Sequence, residues 1–200
     1  MQKHLLAAST FLGVLCSLAA AHAAPLPADV KSGIYGVEPA HTQVIFSLLH
    51  FGFTHYSGLL SDASGTLAFD PKDMTKTKLN VVLKVDSVQT TSPRLTSELK
   101  TEKWLDTGRY PTATFVSGVV TPTGEGTANI AGNLTLHGIT KPIVLRATFI
   151  GAGENPMDKA YTLGFEGMTT INRSEFGVTT YVPMVGDQVQ LTIAGAFERE

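Results

Sequence analysis

The chain reads as an all-β protein: an antiparallel barrel or sandwich of about eight strands with one short helical insertion. Three observations predict this. Period-two alternation of apolar and polar residues dominates from Tyr35 onward, as in strands with one buried face. The spacing turns helical only once, so strands do not alternate with helices as a parallel sheet requires. Turn residues recur at regular intervals, and 19 glycines in 200 residues suit such punctuation.

The N-terminus stands apart from that pattern. Met1 to Ala24 carries Lys3 and His4, an apolar stretch from Leu5 to Ala21, then Ala21-His22-Ala23. A cationic start, an apolar middle and a small-x-small site describe a cleavable signal peptide over residues 1–23. Export to the periplasm is the expectation. A polar leader with two prolines follows over residues 24–34, and one domain spans residues 35–200. The single cysteine, Cys16, lies inside the signal segment, so the mature domain has no thiol and no disulfide.

The strands then follow in order. Thr42–Phe51 alternates Val44, Phe46, Leu48 and His50 against Ile45, Ser47, Leu49 and Phe51. Both faces are largely apolar, which predicts cover on both sides, with the Val44 to His50 set inward. Gly58–Phe69 carries Leu67 and Phe69 after Gly65, a glycine that marks a bulge or bend. Leu79–Ser87 sets Leu79, Val81, Leu83 and Val85 inward against Asn80, Lys84 and Asp86; a one-residue slip would bury the polar set. Ser92-Pro93 is an N-cap followed by proline at the first helical position, and Leu95 and Leu99 sit at helical spacing. This predicts one helix, about Arg94–Leu105. Strand patterns return at Thr112–Ser117, Thr127–Leu136, Ile143–Ile150, Tyr161–Thr170 and Gln188–Phe197. Gly124-Glu125-Gly126 and His137–Pro142 are their hairpin connections.

Composition excludes several function classes. Charged residues make up 16% of the chain against 43% hydrophobic, which rules out a disordered segment. The net charge of −2 supplies no basic excess for a nucleic-acid partner. His41, His50 and His55 have no ligand spacing and no paired carboxylates, so no metal and no other cofactor is expected. There is no Gly-x-Ser-x-Gly elbow and no mature cysteine, so the chain does not read as an enzyme. Arg173, beside Asn172 and Ser174 at a turn, anchors backbone carbonyls or a carboxylate; a phosphate head group is the alternative.

Five blocks resemble the YceI family of exported, polyisoprenoid-binding, lipocalin-like proteins. They are Tyr35-x-Val37-Glu38-Pro39-x-His41-Thr42-x-Val44-x-Phe46-x-Leu48-x-His50, and Gly65-Thr66-Leu67-x-Phe69-Asp70. Next come Val85-x-Ser87-Val88-x-Thr90 with Leu99, Leu105-Asp106 and Tyr110-Pro111-x-x-x-Phe115-x-Ser117. The last two are Gly132-x-Leu134-Thr135-Leu136-x-Gly138-Ile139-Thr140-Lys141-Pro142 and Ile171-Asn172-Arg173-Ser174-x-Phe176-Gly177-Val178. The chain departs from the family at Glu38 and Thr42, where Asp and Ser are usual. It departs again at Lys103-Trp104-Leu105-Asp106, where paired aromatics are frequent.

The resemblance implies a lipocalin-like barrel whose pore sequesters or carries a long-chain polyisoprenoid or similar amphiphile. The expected pore residues are Phe46, Leu48, His50, Leu67, Phe69, Val81, Leu83, Trp104, Phe115, Leu134, Phe149 and Phe165, with Arg173 near the mouth. Burying about 40 carbons at roughly 0.8 kcal/mol each gives ~30 kcal/mol, above the ceiling on observed affinities. A bilayer offers the lipid almost the same environment, so this term nearly cancels, and pore shape and mouth polarity must select the ligand. Transient membrane contact and a homodimer are compatible with this reading. An enzyme acting on an isoprenoid-like amphiphile, and an interaction module with a filled barrel, are the rival readings.

Overall fold

A computed structural model describes residues 26–200. The expected signal peptide lies outside the described residues. Ten strands form one antiparallel sheet that closes on itself. β1 (Gly33–Val37) and β2 (Gln43–His50) follow one another along the same edge of the last strand, β10 (Gln188–Arg199). β3 (Thr54–Leu60) and β4 (Ala63–Phe69) pair with β2 and β1 respectively. The four segments therefore make one long hairpin of two interrupted staves. β5 (Lys78–Lys84), β6 (Thr112–Gly124), β7 (Thr127–Leu136), β8 (Ile139–Glu154) and β9 (Tyr161–Asn172) continue as a meander to β10. The result is an eight-strand, up-and-down closed barrel, which leaves few sheet edges unpaired.

The interruptions have local causes. Between β1 and β2, the Glu38 carboxylate accepts hydrogen bonds from the Ala40 and His41 amides at 2.9 and 2.8 Å. The Thr42 hydroxyl then replaces the ladder, donating to the Ala196 carbonyl and accepting from the Ala196 amide. Gly65, with φ of +136°, brings β4 so close to β5 that a Cβ would lie 2.1 Å from the Asn80 carbonyl oxygen. The register there is continuous, so Gly65 makes a close crossing and not a bulge.

β9 and β10 run two residues past their sequence signals, and β6 and β8 run much longer. β6 continues past Ser117 because a register shift between Ser117 and Val119 absorbs Gly118. β8 begins at Ile139, before Pro142, because its first residues pair with β7 alone and β9 joins only at Arg146. A proline costs nothing on a side with no ladder to donate to. His137-Gly138, both at positive φ, is thus a two-residue turn, shorter than the His137–Pro142 spacer expected.

The helix α1 (Pro93–Leu99) has the expected cap: the Ser92 hydroxyl accepts from the Leu95 amide at 3.3 Å, with Pro93 at the first position. It ends at Leu99 and not at Leu105. The Thr101 hydroxyl turns back to the Glu98 carbonyl, and Leu105 N–H reaches the Leu99 carbonyl, winding residues 100–106 into turns. β2 also departs from expectation. Its inner face is covered, but Ile45 and Leu49 on the outer face stay 40% and 42% exposed. Among the described residues no element packs over that face.

At the end where the staves start and finish, Val30, Tyr35, Leu67, Phe69, Phe149, Leu163 and Phe197 form a buried cluster. Val30 and Leu26, ahead of β1, pack into it. At the other end, α1 and the segment after β9 bring together Val88, Leu99, Trp104, Val178 and Val185.

Candidate ligand cavity

Alternation on a closed barrel sends every second side chain inward. Here those side chains enclose a cavity of about 300 Å³, at the lower end of the range for ligand pockets. Its wall is apolar on nearly all sides. Val44, Phe46 and Leu48 face it from β2, Leu67 and Phe69 from β4, and Leu79, Val81 and Leu83 from β5. Phe115, Leu134, Phe149 and Phe165 complete the ring from β6 to β9. Asn80 and Lys84 are exposed, which fixes the register of β5; the strand ends at Lys84, short of the expected Ser87, and Asp86 is exposed on the 3-10 turn that follows.

Phe165 organises one end. Its ring meets Phe69, Phe149 and Phe197 edge-on, with centroids 5.7, 5.6 and 6.0 Å away. Edge-to-face contact is the favoured geometry for such rings. Trp104 organises the other end. It is 7% exposed, and its indole N–H donates to Glu98 at 3.2 Å, so its polar edge is satisfied on α1 while its face borders the cavity.

Arg173 lies behind Trp104, its guanidinium carbon 5.4 Å from the ring centre. Nε donates to the Gly186 carbonyl, Nη1 to Val178, and Nη2 to both Thr180 and Val185, all at 2.7–2.9 Å. The side chain is buried, and desolvation lowers its pKa, with the Asp187 charge opposing. Its donors are spent on the 178–186 segment, leaving little of the fork for a phosphate.

Twelve of the residues expected from sequence border this cavity; His50 does not. His50 is exposed, pairs with Thr54 at the end of the hairpin, and bridges to Val185. The alternation that points it inward is intact, but β2 has by then run past the barrel wall. Sequence reasoning missed Val189, Leu191 and Ile193 on β10, and Ile130 and Leu145 on β7 and β8. Their period-two spacing was visible in each strand. Glu166, the one carboxylate bordering the cavity, is exposed, and the one buried charged group there, Arg173, is bonded to backbone carbonyls. Among the described residues no group of His, Cys, Asp and Glu could hold a metal.

Fold and cavity together define the class: an eight-strand antiparallel barrel around an apolar interior, the architecture of a binding protein. The chain belongs to the YceI-like domain family, whose model matches residues 35–197. It is 41% identical over 141 residues to a UPF0312 protein of Pseudomonas savastanoi pv. phaseolicola, covering 70% of this chain and 73% of that one. The crystal structure of Burkholderia cenocepacia BcnA superposes with a TM-score of 0.72 at 25% identity, over 80% of this chain and 98% of that one. A polyisoprenoid binding domain from Saccharophagus degradans shares the fold, with a TM-score of 0.64 at 13% identity, over 85% of this chain and all of that one.

Proposed function

We propose that the protein binds a long-chain polyisoprenoid or similar amphiphilic lipid in the barrel cavity, as a carrier or sequestering protein. The observation that carries this reading is the lining itself, a wall of aliphatic and aromatic side chains whose one buried charged group, Arg173, is committed to backbone carbonyls. The polyisoprenoid binding domain that shares the fold supports the ligand class. A water-sized group takes ~30 Å³ of packed volume, so a cavity of about 300 Å³ holds on the order of ten chain carbons. The rest of a longer chain, and its head group, then sit at the rim.

The proposal includes export through the 1–23 leader and action in the periplasm, where a lipid chain needs shelter from water between membranes. N-terminal sequencing of exported protein would read from Ala24; a start at Met1 or Gln2 overturns that part.

Leu83→Trp tests the cavity. In a lipid-filled barrel the indole displaces ligand and the apo protein stays folded. In a close-packed core it costs about 1–3 kcal/mol of stability. Thermal unfolding and native mass spectrometry on one sample separate the two. Wild type from its own host that never retains lipid, with a destabilised variant, defeats the carrier reading.

A further inference from the structure

The α1 end of the barrel carries an apolar rim outside the cavity. Phe51, Phe53, Tyr181 and Met184 are 46%, 87%, 56% and 56% exposed, and Leu49 is 42% exposed. They form one surface. Phe51 N–H donates to the Met184 carbonyl at 2.8 Å, and Gly186 N–H to the Leu49 carbonyl at 2.7 Å, tying the β2–β3 tip to the 178–186 segment. The rim is continuous with the cavity wall, because the exposed Tyr181 ring meets Trp104 edge-on at 6.2 Å.

Two further observations single this surface out. No Asp, Glu, Lys or Arg occurs from Pro39 to Ser61, nor from Phe176 to Gly186, in a chain with 15 cations and 17 anions. Soluble surfaces are normally interspersed with charge. The turn itself is also held against local preference. Phe51 and Gly52 have φ of +51° and +76°, and Phe53 N–H returns to the His50 carbonyl, a β-turn within the three-residue loop between His50 and Thr54 whose central positions favour Asn-Gly. A bulky residue at positive φ is strained, and such strain concentrates where function requires the residue.

Resting on the carrier reading, we infer that this rim docks on a lipid bilayer, placing the cavity mouth at the acyl boundary where cargo enters or leaves. Uncharged aromatic and aliphatic side chains suit that boundary, and with no Asp, Glu, Lys or Arg in either segment, though Lys103 lies beside Thr180, the contact depends chiefly on apolar burial and not on anionic head groups. The cargo then passes from bilayer to barrel along Tyr181 and Trp104 without crossing water.

The test is flotation of the exported protein with phosphatidylcholine vesicles, with and without phosphatidylglycerol, in low and high salt. Wild type should float with neutral vesicles in both salts. Phe53→Asp and Met184→Asp should each lower the bound fraction roughly tenfold, the burial of one large apolar side chain. Phe51→Asn should lower it while holding or raising the unfolding temperature, since it suits the turn. Met157→Asp, 88% exposed at the opposite end, should change nothing. Rim variants that float like wild type overturn the inference, as does equal loss in Met157→Asp. So does binding that needs phosphatidylglycerol and vanishes in salt. Light scattering that shows a dimer broken by Phe53→Asp would assign the rim to a second copy instead. Lipid retained in the cavity without flotation defeats the rim alone; flotation without any retained lipid defeats the carrier alone.

Discussion

Arg173 and Glu38 are charged side chains that hold backbone in place. The Arg173 fork holds four carbonyls of the 178–186 segment, so Arg173→Ala leaves buried acceptors unpaired and should cost about 2–4 kcal/mol. Arg173→Lys should recover little, because an ammonium cannot span the same four acceptors. Chemical denaturation of both variants checks this, and a wild-type midpoint for Arg173→Ala would refute the anchoring role. For Glu38, partial burial opposes ionisation, but hydrogen bonds from Ala40 and His41 outweigh it and hold the carboxyl below the usual carboxylate range. A lowered carboxyl stabilises the fold above the unfolded value, and that contribution disappears as pH falls through the folded one. Glu38→Gln should therefore be less stable than wild type at pH 7 and converge on it in acid. Parallel unfolding curves at every pH would contradict that.

At the scale of elements, close approaches decide which strands can exist. Gly65 lets β4 cross β5, and its positive φ and the missing Cβ are both needed. Gly65→Ala should cost more than about 2 kcal/mol and disturb hydrogen exchange first at the β4–β5 ladder. Much of this level was legible: Ser92-Pro93 announces α1, and Thr127–Leu136 is bounded by its turns as observed. Strand lengths were not. Gly118 and Pro142 are breakers locally, yet a register shift and a missing neighbour let β6 and β8 run through them. The helix ends short of the expected Leu105 for a related reason, since Trp104 and Leu105 are apolar residues soon after Leu99 but reach the cavity from turns.

The barrel as a whole is hollow, and a hollow barrel gains stability from its guest by mass action. Protein stripped of lipid should regain about 5–10 °C in unfolding temperature when a tight ligand is added at a hundredfold its dissociation constant. Differential scanning calorimetry with a polyprenol reads this directly, and no shift at saturation would argue for a filled barrel. The sequence by itself determined the all-β class, the inward parity of β2 and β5 and the apolar identity of most of the lining. Those are properties of period two, and period two is local. Only the tertiary structure decided that eight staves close around open volume, that His50 falls outside it, and that Phe51, Phe53, Tyr181 and Met184 gather on one apolar rim. Closure, stave length and the meeting of distant loops depend on pairing between residues far apart in the chain, and alternation carries no information about where a strand leaves the wall.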